Sequence, residues 1–155
     1  MSDTIASRLA AKGLTLPPAP AAVANYVPYL VAGDLLYVSG QISKVADGSV
    51  IVGQLGGDLT VEQGAEAAAA CALNILAQAN AALGSLERIA QVIRITGYVN
   101  ATAAFTDHPR VVNGASDLLV EILGDAGRHT RAAVGVSSLP AACAVEIDAV
   151  IRIKG

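Results

Sequence analysis

The chain has 155 residues, 54 % of them hydrophobic and only 15 % charged, with a formal net charge of −3 and a mean hydropathy of +0.54. That balance excludes disorder over most of the length, and the length suits one domain, 1–155, without a second. The acidic balance, with one Phe, four Tyr and no Trp, leaves neither a basic footprint for phosphate backbones nor a stacking platform, so no nucleic-acid partner is expected.

Thr4 to Lys12 predicts a short amphipathic helix stopped by Gly13. Leu16 to Asn25 carries Pro17, Pro18 and Pro20 and reads as an irregular arm; residues 1–25 are expected to pack on the rest. Val27–Val31 and Leu35–Gln41 flank Gly33-Asp34, the pattern of a hairpin, and Ser49–Val52 reads as a weaker third strand. Gly53 to Leu59 is a glycine-rich loop. It lacks the Lys-Ser/Thr ending of a phosphate loop, so a flexible connector is the better reading.

Thr60 with Gln63 forms a capping box ahead of a helix running to Leu83 and ended by Gly84. Its apolar positions, from Val61 and Ala65 through Ile75, Leu76 and Leu83, predict one narrow stripe of mostly small residues lying on a sheet. Glu66, Asn74, Gln78 and Asn80 interrupt the Ala-rich stretch, so no transmembrane helix and no membrane partner is expected. Gln91 to Asn100 alternates, with Ile93, Ile95 and Val99 on one side. A second helix starts at Pro109 with Asp107 as cap, buries Val111, Val112, Ala115, Leu118, Leu119, Ile122 and Leu123, and ends at Gly124. Strands Thr130–Val136 and Ala144–Ile153 close the chain.

This order predicts an α+β two-layer sandwich, a mixed sheet with two long helices on one face. The other face is assigned Arg94, Arg131, Glu146, Asp148 and Arg152 beside Ala133, Gly135 and Val150, a mixture suited to a partly wet subunit interface. Cys71 and Cys143 form no C-x-x-C pair and read as small buried thiols; with no secretory signal at the start, the cytoplasm is the expected compartment.

Arg131 opens a strand of Ala, Val and Gly, where a guanidinium needs an acidic partner or an anionic ligand. With the last two strands read as a hairpin, Glu146 lies on the adjacent strand. Spacing alone favours an internal Arg131–Glu146 ion pair over a site in which Arg131 holds a substrate carboxylate and Glu146 handles a water. His129 precedes Arg131 by two residues and can lean toward the same place, although a solvated loop imidazole is the simpler reading. No zinc spacing surrounds His108 or His129, and no metal is expected. Asn113, Asp117 and Glu121 read as a solvated helix stripe.

His129-Thr130-Arg131 followed by Ala132 to Val136, Leu139-Pro140 and Val145-Glu146-Ile147 resembles the signature of the RidA family (YjgF/YER057c/UK114). Leu36-Tyr37-Val38-Ser39-Gly40-Gln41-Ile42 is similar to its Ser-Gly-Gln strand, and Pro20 to Tyr26 to its approach loop. The resemblance spans Pro18 to Ile153. It implies a chorismate-mutase-like fold, a homotrimer with clefts between subunits, and hydrolysis of 2-imino acids to 2-keto acids and ammonia without a cofactor. Carried over, Arg131 is the carboxylate clamp and Glu146 positions water. Tyr26 is a pocket wall from a neighbouring subunit, and Ser39 and Gly40 lie at the pocket edge. Ala133 stands where a Cys is frequent, and His129 where Pro or Ala is usual. The helix segment Pro109–Asp117 departs from the usual deaminase helix and looks more like a longer branch of the family. A non-catalytic binder of small carboxylates is therefore the alternative.

Overall fold

The computed structural model describes residues 3–155. Thr4 caps α1 (Ile5–Ala11) through a box with Ser7, and α1 buries Ile5 and Leu9. The arm that follows is irregular, and α1 is tied to the body by Arg8 Nη1 donating to the Ile122 carbonyl at 3.0 Å. The hairpin forms as expected, β1 (Tyr29–Ala32) pairing antiparallel with β2 (Leu35–Ile42). Ser49–Val52 does not become a strand. Only the isolated bridges Lys44–Val50 and Val52–Cys143 form, because the turn at Asp47-Gly48 on one side and the left-handed Ala141 and Ala142 (both φ +56) on the other interrupt regular pairing.

Thr60 caps α2 (Val61–Leu83), with Gln63 completing the box, and Gly84 ends it at φ +79, a left-handed conformation that glycine adopts without steric penalty. The expected narrow stripe is wrong. Burial takes in Ala67, Ala68, Cys71, Ala72, Ile75, Leu76 and Ala79 but also Asn74, Ala77 and Gln78, because α2 packs against the sheet and α3 and meets the Pro-rich arm at Pro20.

β3 (Ile89–Asn100) carries a register shift between Val92 and Arg94. That bulge turns Ile93 to solvent, 37 % exposed, and gives its expected inward place to Val92. In α3 (His108–Leu123) all seven expected residues are buried, but Asp107 makes no side-chain cap bond; its carboxylate pairs with Arg110 instead. The two helices cross closely at Gly114, where a Cβ would overlap the Ala65 backbone. Gly114→Ala is expected to cost about 1–3 kcal/mol, because backbone cannot give way as a flexible side chain can. Urea unfolding checks this through its midpoint.

β4 (Thr130–Val136) and β5 (Val145–Ile153) complete a five-stranded sheet of order β1-β2-β5-β3-β4. β4 is not the hairpin partner of β5. It lies at the edge, parallel to β3, while β5 runs antiparallel between β2 and β3. The mixed sheet with α2 and α3 on one face matches the expected α+β class. Val145, Ile147, Ala149, Ile151 and Ile153 face the helices, and Glu146, Asp148 and Val150 face away.

Candidate functional site

Two clusters flank the sheet. The first is a cavity of about 430 Å³ lined by Tyr26, Ser39, Gly40, Lys44 and Glu146 together with the arm from Pro20 to Val23. The C-terminal half of β2 shapes it. Ser39 is held by a double contact, its N–H donating to Pro28 O at 3.0 Å and its hydroxyl to Val27 O at 2.8 Å. The hydroxyl is therefore committed to fixing the loop that carries Tyr26. From α2, Gln78 donates to Pro20 O at 2.6 Å and Asn74 to Lys44 O at 2.9 Å, fastening both rims of the cavity.

Burial pushes the Glu146 carboxyl up from its ordinary range, and the nearby Asp148 carboxylate pushes it the same way. Gly40 provides the space: a Cβ there would overlap Glu146 Oε2. Gly40→Ala is expected to displace that carboxylate and to slow any reaction that depends on it at least about tenfold, because small misplacements of a reacting group are costly. A steady-state rate with unchanged circular dichroism checks it.

The second cluster surrounds Arg131, and the structure overturns the expected face. Arg131 pairs with Ile95 across β4 and β3, and Ile95 with Ala149 across β3 and β5, so Arg131 belongs to the helix-covered face. Glu146 occupies the opposite face, and β3 separates their strands. An ion pair within the chain is thereby excluded. Among the described residues, no carboxylate pairs with Arg131. Its Nη1 donates to Ser116 Oγ at 3.0 Å and its Nη2 to Pro109 O at 3.2 Å. These use two of the five guanidinium N–H groups and leave three.

His129 is no solvated loop imidazole. Its Nε2 lies 2.8 Å from Ser116 Oγ and its Nδ1 donates to Gly127 O at 2.6 Å. Ala133 packs on the core, and Gly135 lies under the ring of His108, where any Cβ would collide. Asn113, Asp117 and Glu121 are exposed as expected.

Sequence reasoning missed Ser116 and Lys44. Ser116 carries a readable signal, since a Ser at mid-helix facing a strand that opens His-x-Arg has polar partners; Lys44 carries none. Both cysteines are free and buried, and burial raises both thiols, keeping them protonated. Among the described residues, no group of three or more His, Cys, Asp or Glu side chains is placed to hold a metal ion. The glycine-rich loop is a packed connector: the Gln54 N–H donates to Asp58 Oδ1 at 2.7 Å and the Leu55 N–H to Asn100 O at 2.8 Å. Among the described residues, no helix is long and apolar enough to cross a membrane.

A sheet of this order with two long helices on one face, and a Glu and an Arg displayed from β5 and β4, defines a chorismate-mutase-like α+β protein. The family described as "YjgF/chorismate mutase-like, putative endoribonuclease" matches residues 6–150, and the chain belongs to it. Protein TCP17 of Trypanosoma cruzi is 45% identical over 154 residues, covering 99% of this chain and 96% of that protein. Among solved structures, the protein Atu1372 of Agrobacterium tumefaciens, of unknown function, is 46% identical with a TM-score of 0.91, covering 98% of this chain and 95% of that one. RidA from the Antarctic bacterium Psychrobacter sp. is 26% identical with a TM-score of 0.59, covering 87% of this chain and 94% of that one.

Proposed function

We propose that this protein is an enamine/imine deaminase that hydrolyses 2-imino acids to 2-keto acids and ammonia in clefts between the subunits of a homotrimer. The observation that carries the reading is the separation of two complementary groups. Arg131 has three unclaimed donors and Glu146 a raised carboxyl, yet they stand on opposite faces of one chain. A second copy, presenting its β4 edge to the cavity of the first, is what would unite them. Relative to Glu146, the group supplied by the neighbour is then Arg131, whereas Tyr26 shares the Glu146 cavity within its own chain. Leu30, Val31, Tyr37 and Val134, each 42–58 % exposed, give such assembly an apolar surface to bury. The two free thiols fit work in the cytoplasm.

In this reading the Arg131 fork takes the substrate carboxylate in two parallel bonds and fixes the neighbouring imine carbon. Glu146 accepts a proton from water as its oxygen attacks C2, giving a carbinolamine. The carboxyl returns that proton to the nitrogen to complete the carbinolamine, then takes the hydroxyl proton as the carbonyl forms and passes it to nitrogen as the C–N bond breaks, and a keto acid and ammonia leave. No cofactor enters this balance. The single negative charges of substrate and product suit one guanidinium. The acidic balance and sparse aromatics speak against RNA as the substrate.

Ammonia release from freshly generated 2-iminopropanoate tests the proposal. Acceleration over the spontaneous rate is expected. Pyruvate binding by calorimetry without acceleration would instead establish a non-catalytic carboxylate binder. Sedimentation equilibrium is expected to give three times the 15.6 kDa chain mass; a folded monomer at micromolar concentration would defeat the shared-site reading.

A further inference from the structure

We propose that Ser116 and His129 form a nucleophile–base pair, a second reactive centre taking small activated esters and thioesters. The donor roles in this cluster run in one direction. The Gly127 carbonyl can only accept, so the proton on His129 sits on Nδ1, at 2.6 Å from that oxygen. In its neutral form the imidazole then presents its lone pair at Nε2, 2.8 Å from Ser116 Oγ. Arg131 Nη1, 3.0 Å from the same oxygen, can only donate. Of the groups around Ser116, His129 is thus the one that takes the hydroxyl proton.

A serine within a helix commonly bonds back to the carbonyl four residues earlier. Ser116 Oγ bonds to the imidazole instead, and donates to it when the ring is neutral. The order carbonyl, imidazole, hydroxyl is that of a serine nucleophile whose base is oriented by a third group. Arg131 adds a fixed positive charge beside the oxygen that would become an alkoxide, and its free N–H groups are donors for an oxyanion. Ser116, His129 and Arg131 all retain partial exposure, so a small acyl group can reach them.

The chemistry balances without a further reactant. Ser116 Oγ bonds to the acyl carbon while its proton passes to His129 Nε2. The bond to the leaving alkoxide or thiolate breaks, and that group takes the proton. Water then repeats both steps and releases the carboxylic acid, with no change of oxidation state. This centre shares Arg131 with the imine reading but does not depend on it, because neither Glu146 nor a second copy is required.

The test uses the full chain and a small fluorophosphonate, whose fluoride leaves as a serine oxygen bonds to phosphorus. Peptide mass spectrometry is expected to find one adduct, on Ser116, and none in Ser116→Ala. His129→Gln and His129→Asn are expected to slow labelling at least about 100-fold, the loss typical of removing a general base. Two substitutions guard against one failing to fold, as checked by circular dichroism. An unlabelled Ser116 in the parent protein overturns the proposal whatever the variants do. So does labelling of the folded His129 variants at the parent rate.

Discussion

Mixing Arg131→Lys chains with Glu146→Gln chains, each strongly impaired alone, is expected to restore about a quarter of the parent's imine-hydrolysing activity. The expectation follows from the faces of the sheet. A cleft built from Glu146 of one chain and Arg131 of the next is intact when the first chain carries Arg131→Lys and the second Glu146→Gln. With equal amounts and random reassembly, that arrangement arises at about one boundary in four in any closed ring. Arg131→Lys alone keeps the charge and loses the fork, so capture of the carboxylate is expected to weaken about 10- to 100-fold. The measurement is ammonia release before and after the two variants are dissociated together and reassembled. Activity that stays at the level of the unmixed variants would place both groups at a site within one chain, against the geometry of β4 and β5, or would remove one of them from the reaction.

Glu146→Gln is expected to lower kcat by about 10²–10⁴ while leaving keto-acid binding nearly unchanged. The amide matches the carboxylate in shape and cannot take a proton from water. The parent enzyme supplies a second signature. Burial and Asp148 raise the Glu146 carboxyl above the ordinary range. As pH falls through that raised value, the group gains a proton and can no longer act as a base, so kcat/KM is expected to fall on the acid side. The residual activity of Glu146→Gln is expected to lack that limb. A pH profile of both proteins decides it; an identical acid limb in the variant would assign the limb to another group.

Much of the architecture was legible because it rests on local chemistry. Thr60 with Gln63, Gly84 after Leu83 and the even alternation of Val145 to Ile153 each specify an element within a few residues. The seven buried positions of α3 follow from one helical period. The errors lie where pairing is non-local. Thr130–Val136 and Val145–Ile153 are separated by a short turn-rich segment, which suggests a hairpin. The competing signal was the long helix between β3 and β4, a crossover that makes those two strands parallel neighbours. Misplacing β4 put Arg131 on the wrong face and produced the ion pair with Glu146. The inversion of Ile93 had no comparable warning, because Val92, Ile93 and Ile95 are all apolar and only the ladder with β5 reveals the extra residue.

The position of β4 also bears on how the chain avoids clumping while it is being made. Its outer side offers unpaired backbone groups along Thr130–Val136, a stretch with one charge in seven residues. Such a strand is a template for a stray chain to join. Arg131, an inward-turned cation anchored to α3, interrupts an otherwise uncharged ribbon. The guanidinium that would grip the substrate therefore also serves as a gatekeeper, so apolar replacement at this position would compromise soluble yield as well as turnover.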